Sequence, residues 1–217
     1  MLDFKVGKDA TWYNDLEQGT EEWLAVRRGR VTASRIADIM VEGKGPHGFG
    51  KGAITYLNEK VSEVLTGMQH EFHTQATDWG NKHEDAARER YERVYDVKVD
   101  EVGFIKSNRF FGVSPDGLVG DEGLIEIKCP YTQHAIIEYH SMTSWKEIPK
   151  GYHAQMQAQM YVADRLWCDL CVFDTRYSGE AAMCVIRVER NEEFMEKMCE
   201  RVESFGYMIE ELVDRLV

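Results

Sequence analysis

The sequence has no run of about 18 apolar residues, so it offers no helix able to span a bilayer. Its first residues, MLDFKVGKDA, lack the apolar stretch of a secretory signal. A cytoplasmic protein with reduced thiols is the resulting expectation, because disulfides persist in oxidising compartments. Of the five cysteines, Cys168 and Cys171 form a C-x₂-C inside WCDLCVF, an apolar run of strand character. No second C-x₂-C exists, and the spacing of Cys129, Cys184 and Cys199 does not suit a four-cysteine cluster, so a structural role is expected. The histidines form no ligand set, and the pair His70 and His73 is expected at the surface. The glycine-rich stretch GKGPHGFGKG (43–52) lacks the GK[ST] ending of a P-loop and reads as a mobile loop. Positive charge is also scarce: 26 Lys and Arg face 38 Asp and Glu, a net charge of −12. Nucleic-acid-binding domains are ordinarily basic, so any such surface here must be local while the exterior stays acidic. Arg27, Arg28, Arg30, Arg35, Lys44 and Lys51 form one locally basic stretch, whereas many acids fall in 189–214.

What is present fits one globular domain, 1–217, with 43% hydrophobic and 29% charged residues. Thr20 is placed to cap a helix that opens with Glu21 and Glu22. Thr32 is read as a second cap, before Ile36, Ile39 and Met40 at helical spacing. A helix over 53–65 is expected to stop at Gly67, and Asp78 to cap a helix carrying Trp79, Glu84, Ala87 and Tyr91. Strands are expected at 97–99, 102–105, 109–113 and 124–128, then helices at 132–139 and 151–163. Strands at 167–173 and 182–188 and a long acidic amphipathic helix complete the chain. The order predicts an α/β core with flanking helices, without internal repeats or a domain linker.

The chemistry concentrates in SPDGLVGDEGLIEIKCP (114–130). Side chains alternate along a strand, so Glu126 and Lys128 share one face while Ile125 and Ile127 take the other. The turn Pro115-Asp116-Gly117 sets Asp116 at the end of the neighbouring strand. Two carboxylates and an ammonium then converge, which suits metal-dependent phosphodiester hydrolysis: hard oxygens for Mg²⁺, and a positive charge beside the attacking water. On this motif alone, a surface hairpin with solvated charges stands beside the catalytic reading.

Three further segments, RRGRVTAS (27–34), WGNKHE (79–84) and YHAQMQ (152–157), join EIKCP (126–130) to narrow the choice. With SPDGL (114–118) they resemble, in order and spacing, the YqaJ-type viral recombinases, the lambda-exonuclease-like branch of the PD-(D/E)XK nuclease superfamily. The resemblance implies an α/β fold with a restriction-endonuclease-like core, a mixed central β-sheet flanked by helices. It implies a pair of Mg²⁺ ions, with Mn²⁺ as substitute, held by Asp116, Glu126, the Ile127 carbonyl and Glu84, the last directly or through water. Lys128 would hold or deprotonate the attacking water, and Gln155 would orient both. Gln157, two residues on and so off that helix face, is expected to be structural. Arg27, Ser34 and Ser114 would form a pocket for a terminal 5′ phosphate, with Arg28 and Lys44 as further DNA contacts.

The implied activity is Mg²⁺-dependent, processive 5′-to-3′ degradation of linear duplex DNA, leaving 3′ single strands for a single-strand-annealing protein of phage-type recombination. The implied assembly is a homotrimeric ring. One departure stands out: the residues before the WG motif, Thr77 and Asp78, are not apolar, so the strand-separating wedge passes to Met68 or Phe72, or separation works differently. Two alternatives remain at this point. One is a restriction-like PD-(D/E)XK endonuclease, which closed circular DNA would distinguish. The other is a catalytically silent DNA-end-binding scaffold, which the intact Asp116, Glu126, Lys128 and Gln155 oppose.

Overall fold

The computed structural model describes residues 2–69 and 74–217. Strand β1 (Thr11–Tyr13) precedes helix α1 (Glu21–Arg27), strand β2 (Val31–Thr32) and helices α2 (Ile36–Met40), α3 (Lys51–Thr66) and α4 (Gln75–Tyr95). Strands β3 (Val99–Asp100), β4 (Phe104–Lys106), β5 (Phe111–Val113), β6 (Gly117–Val119) and β7 (Gly123–Lys128) follow. Helices α5 (Ala135–His140) and α6 (Lys150–Ala163), strands β8 (Trp167–Phe173) and β9 (Met183–Glu189) and helix α7 (Glu192–Leu216) complete the chain. The strands form two sheets, ordered β1-β4-β5-β2 and β3-β6-β7-β8-β9. Each is mixed: β2 pairs β5 and β7 pairs β8 in parallel, and the other pairs are antiparallel. Among the described residues no helix is long and apolar enough to cross a membrane.

Strand β7 lies at the middle of the five-stranded sheet, with Gly117 opposite Ile125 and Glu126 opposite Leu170. Both of its faces are covered. Ile125 and Ile127 pack with Ala87 and Tyr91 of α4 in one hydrophobic cluster. Leu124 belongs to the larger cluster, built with Ala154, Met156, Ala158 and Met160 of α6 and Val202 and Phe205 of α7. Glu126 and Lys128 share Leu124's face, so the site sits beneath α6, inside the protein. Gly117 permits this register: a Cβ there would lie 2.1 Å from Val99 Cγ1.

Several local expectations hold. Thr20 caps α1 by accepting from the Trp23 N–H, and Gly67 ends α3 in the left-handed conformation. Strand β8 covers the expected residues, and β9 lies one residue later than expected. Others are corrected. Thr74, not Asp78, caps α4 through reciprocal hydrogen bonds with Thr77, because both hydroxyls and both backbone N–H groups are in reach. Thr32 is a buried strand residue whose side chain caps nothing. Its N–H donates to the Tyr56 hydroxyl at 3.2 Å, and a short 3₁₀ turn, Ala33–Arg35, leads into α2. Strand 109–113 shortens to Phe111–Val113 because Asn108 Oδ1 accepts from the Phe110 N–H and turns the chain.

The glycine-rich loop, expected to be mobile, is tied to α7. Arg201 donates to the carbonyls of Ile39, Val41, His47 and Gly48 and stacks over Phe49, whose backbone forms a β-bridge with Glu42.

Candidate active site

Helix α1 ends at Arg27, and the chain turns through Gly29 at φ +67°, a conformation that glycine adopts without strain. A buried ion pair holds this turn. Glu63 Oε2 accepts from the Gly29 N–H at 2.9 Å, and Lys60 Nζ bonds both Glu63 oxygens at 2.8 and 2.9 Å. Arg27 is thereby aimed at Ser114 at the end of β5, with Arg27 Nη1 3.1 Å from Ser114 Oγ. Trp23, one turn back on α1, donates to the same Oγ at 3.1 Å and carries the Arg27 guanidinium 3.8 Å above its ring.

These residues form one side of a cleft of about 530 Å³. Arg27, Ser34 and Ser114 line it together with Asp116, Glu126, Ile127, Lys128, Gln155 and Glu84. The structure thus unites all eight side chains of the two predicted constellations, together with Ile127, although 128 positions separate Arg27 from Gln155. Arg28 and Lys44 are not among the cleft residues, and Lys44 lies exposed on the glycine-rich loop. Thr77 lines the cleft mouth beside Tyr131, whose ring is about half exposed and packs edge-on against Trp79. Met68 is exposed, while Phe72, His70 and His73 fall outside the described residues.

Glu126 is the organising group. It is fully buried, and Lys128 and Gln155 donate to its Oε1, the latter at 2.7 Å. Gln159 donates to its Oε2 at 2.7 Å. Asp116 Oδ2 accepts from the Ile127 N–H at 2.6 Å, which locks the carboxylate against β7. Glu84 approaches from α4 and bonds Arg88 at 3.1 Å, and Arg88 also pairs with Asp85 and Glu101. Gln157 points away: its amide spans the Glu189 carbonyl and the Asn191 N–H, joining α6 to the end of β9.

Burial pushes the Asp116 carboxyl well above its ordinary range, and the nearby Glu126 and Glu84 charges add to this. Burial likewise raises Glu84, against the pull of Arg88. Burial alone would lower Lys128, but the Glu126 and Asp116 carboxylates outweigh it and raise its pKa, so the ammonium persists at neutral pH. Cys129, beside them, is pushed up to about 12, chiefly by burial, and stays a thiol.

Among the described residues no three His, Cys, Asp or Glu side chains already form a ligand cluster. The carboxylates that line the cleft, Glu84, Asp116 and Glu126, are nonetheless hard oxygen donors, and Asp116 is disfavoured as an anion first by burial and then by the neighbouring carboxylates. A hard divalent cation would reverse that repulsion, so the residues present fit Mg²⁺ or Mn²⁺.

Sequence reasoning overlooked Gln159 and Trp23. Gln159 was visible as the residue four after Gln155 on a predicted helix, hence on the same face. Trp23 had no local signal, because its partners, Ser114 and the Gly103 carbonyl, are remote in sequence.

The fold and this constellation together define a nuclease of the restriction-endonuclease-like class. Residues 22–166 match the YqaJ-like viral recombinase domain, and the chain belongs to that family. Its structure is similar to that of an alkaline exonuclease, LHK-Exo, from Laribacter hongkongensis, with a TM-score of 0.80 and 38% identity over 91% of this chain and 96% of that one. The same enzyme in complex with dAMP gives the same similarity. A phage-related exonuclease from Haemophilus somnus 129PT shares the fold, with a TM-score of 0.67 at 17% identity over 87% of this chain and 96% of that one. Curated protein sequences hold no significant match to the chain.

Proposed function

We propose that the chain is an exonuclease that degrades linear duplex DNA from the 5′-phosphorylated end and leaves 3′ single strands. The observation that carries this reading is the single cleft that joins Arg27, Ser34 and Ser114 to Asp116, Glu126 and Lys128. Arg27 and the two hydroxyls supply donors for a terminal phosphate. The next phosphodiester then lies over the carboxylates, and each cut creates the 5′ phosphate that the donors take next. This supports movement along one strand.

Asp116, Glu126, Glu84 and the Ile127 carbonyl would hold a pair of Mg²⁺ ions, with Mn²⁺ as substitute. When bound, such ions supply Lewis acidity to the scissile phosphate. Lys128 would hold or deprotonate the attacking water and offset phosphate charge. Gln155 holds the Glu126 oxygen that Lys128 also bonds, and so fixes the direction of the ammonium. An acidic exterior around a locally basic channel would reconcile the net charge of −12 with DNA binding. A homotrimeric ring around the DNA, with a mass near three times 25.1 kDa, and a single-strand-annealing partner complete the proposal. The setting is a bacterial cytoplasm.

The test is digestion of linear duplex DNA with matched 5′-phosphate and 5′-hydroxyl ends, in Mg²⁺ and in EDTA. Fast Mg²⁺-dependent loss of the phosphorylated strand alone is expected. Equal attack on both ends, or cuts in closed circular DNA, would replace this reading with an endonuclease. Binding without cleavage would replace it with a silent scaffold.

A further inference from the structure

We infer that Gln159 is a positioning residue for the cation site, fixing the oxygen of Glu126 that points away from Lys128. The inference rests on the nuclease reading of the same cleft. Gln159 is fully buried on α6, four residues after Gln155, so both amides reach Glu126 from one helix face. A carboxylate only accepts hydrogen bonds, so each amide must turn its NH₂ toward it.

The lone pairs then decide the arrangement. Glu126 Oε1 receives Lys128 and Gln155, which occupies its two acceptor directions. Among the described residues Oε2 receives Gln159 alone, so the acceptor direction left for a cation lies on the oxygen that Gln159 holds. The same NH₂ also approaches the Ser114 carbonyl at 3.5 Å, and Ser114 Oγ receives Arg27 and Trp23. Gln159 therefore links the phosphate donors to the cation ligand.

A packing role does not account for this residue. Its Oε1 is buried and meets no donor among the described residues. A buried amide left half satisfied is less stable than an apolar side chain of its volume. Methionine would fill the same space without that penalty.

The test uses full-length protein with Gln159→Met, and Gln159→Asn, whose amide falls one methylene short. Mn²⁺ alone is titrated calorimetrically without DNA, and cleavage is followed against Mg²⁺ and DNA concentration. Loss of a group that orients a metal ligand weakens affinity about tenfold to a hundredfold. The expected result is that weakening for Mn²⁺, a matching rise in the Mg²⁺ half-saturation, and an unchanged KM for DNA. A lowered Tm with wild-type Mn²⁺ affinity in either variant would overturn the inference and leave Gln159 as packing. Wild-type protein that binds no Mn²⁺ would overturn it too. Wild-type protein that binds Mn²⁺ but leaves DNA intact would refute the nuclease reading alone, because the calorimetric comparison still judges Gln159.

Discussion

Glu63→Gln is the substitution that best probes how the phosphate side of the cleft is held. Glu63 and Lys60 are 8% and 3% exposed, and the carboxylate accepts both bonds from Lys60 Nζ and one from the Gly29 N–H. Glutamine keeps the shape but removes the charge, leaving a buried ammonium without a counter-ion. Breaking a buried pair in this way costs about 3–5 kcal/mol. The glutamine carbonyl still accepts one bond, and Lys60 keeps its place 5.2 Å from the Tyr56 ring, so the lower end, about 3 kcal/mol, is expected. For a chain of this size each kcal/mol shifts Tm by about 2–4 °C, which predicts a drop of roughly 6–12 °C. Calorimetry and urea unfolding near neutral pH measure it. Lys60→Met combined with Glu63→Gln should recover much of the loss, since the stranded charge is then gone. Freed from Glu63, the Gly29 turn should also misplace Arg27, lowering the preference for 5′-phosphorylated ends. A single variant as stable as wild type, or a double variant no better than the single one, would refute the electrostatic reasoning.

Arg27→Ala should slow cleavage at 5′-phosphorylated ends by about tenfold to a hundredfold, the worth of one charge-assisted hydrogen bond, and leave 5′-hydroxyl ends nearly unaffected; equal slowing of both ends would remove Arg27 from the phosphate pocket. Lys128→Ala should reduce cleavage by about a hundredfold to a thousandfold while DNA binding in Ca²⁺ persists, and cleavage at the wild-type rate would discard the role given to Lys128. Acidity should oppose the metal. Asp116 has a folded pKa above its unfolded one, so in metal-free protein its stabilising protonation is complete below the ordinary carboxylate value of about 4 and is lost as pH rises through the raised value. The Tm gain on adding Mg²⁺ should therefore be larger at about pH 8.5 than at about pH 5.5, and equal gains would contradict the crowding of Asp116, Glu126 and Glu84.

The local patterns of this chain carried much of its architecture. Alternation in GLIEIK placed Glu126 and Lys128 on one face of a strand, and the apolar runs marked β8 and β9 nearly to the residue. Thr20 and Gly67 marked helix ends because capping and left-handed termination depend on one or two residues. The Thr74–Thr77 box was missed because Asp78, the adjacent acid, offered a competing cap signal. The glycine-rich loop read as free because its anchor, Arg201, lies about 150 residues away.

By itself, then, the sequence determined the strand and helix order, the motif on β7 and the family whose segments it shares. Those follow from contacts between residues a few positions apart. Only the tertiary structure decided that Glu126's face is roofed by α6, that Gln159 joins Gln155 there while Gln157 turns to β9, and that Arg27 and Trp23 meet at Ser114. Sheet register and helix packing create those meetings, and both are set by burial over the whole chain rather than by any stretch of it.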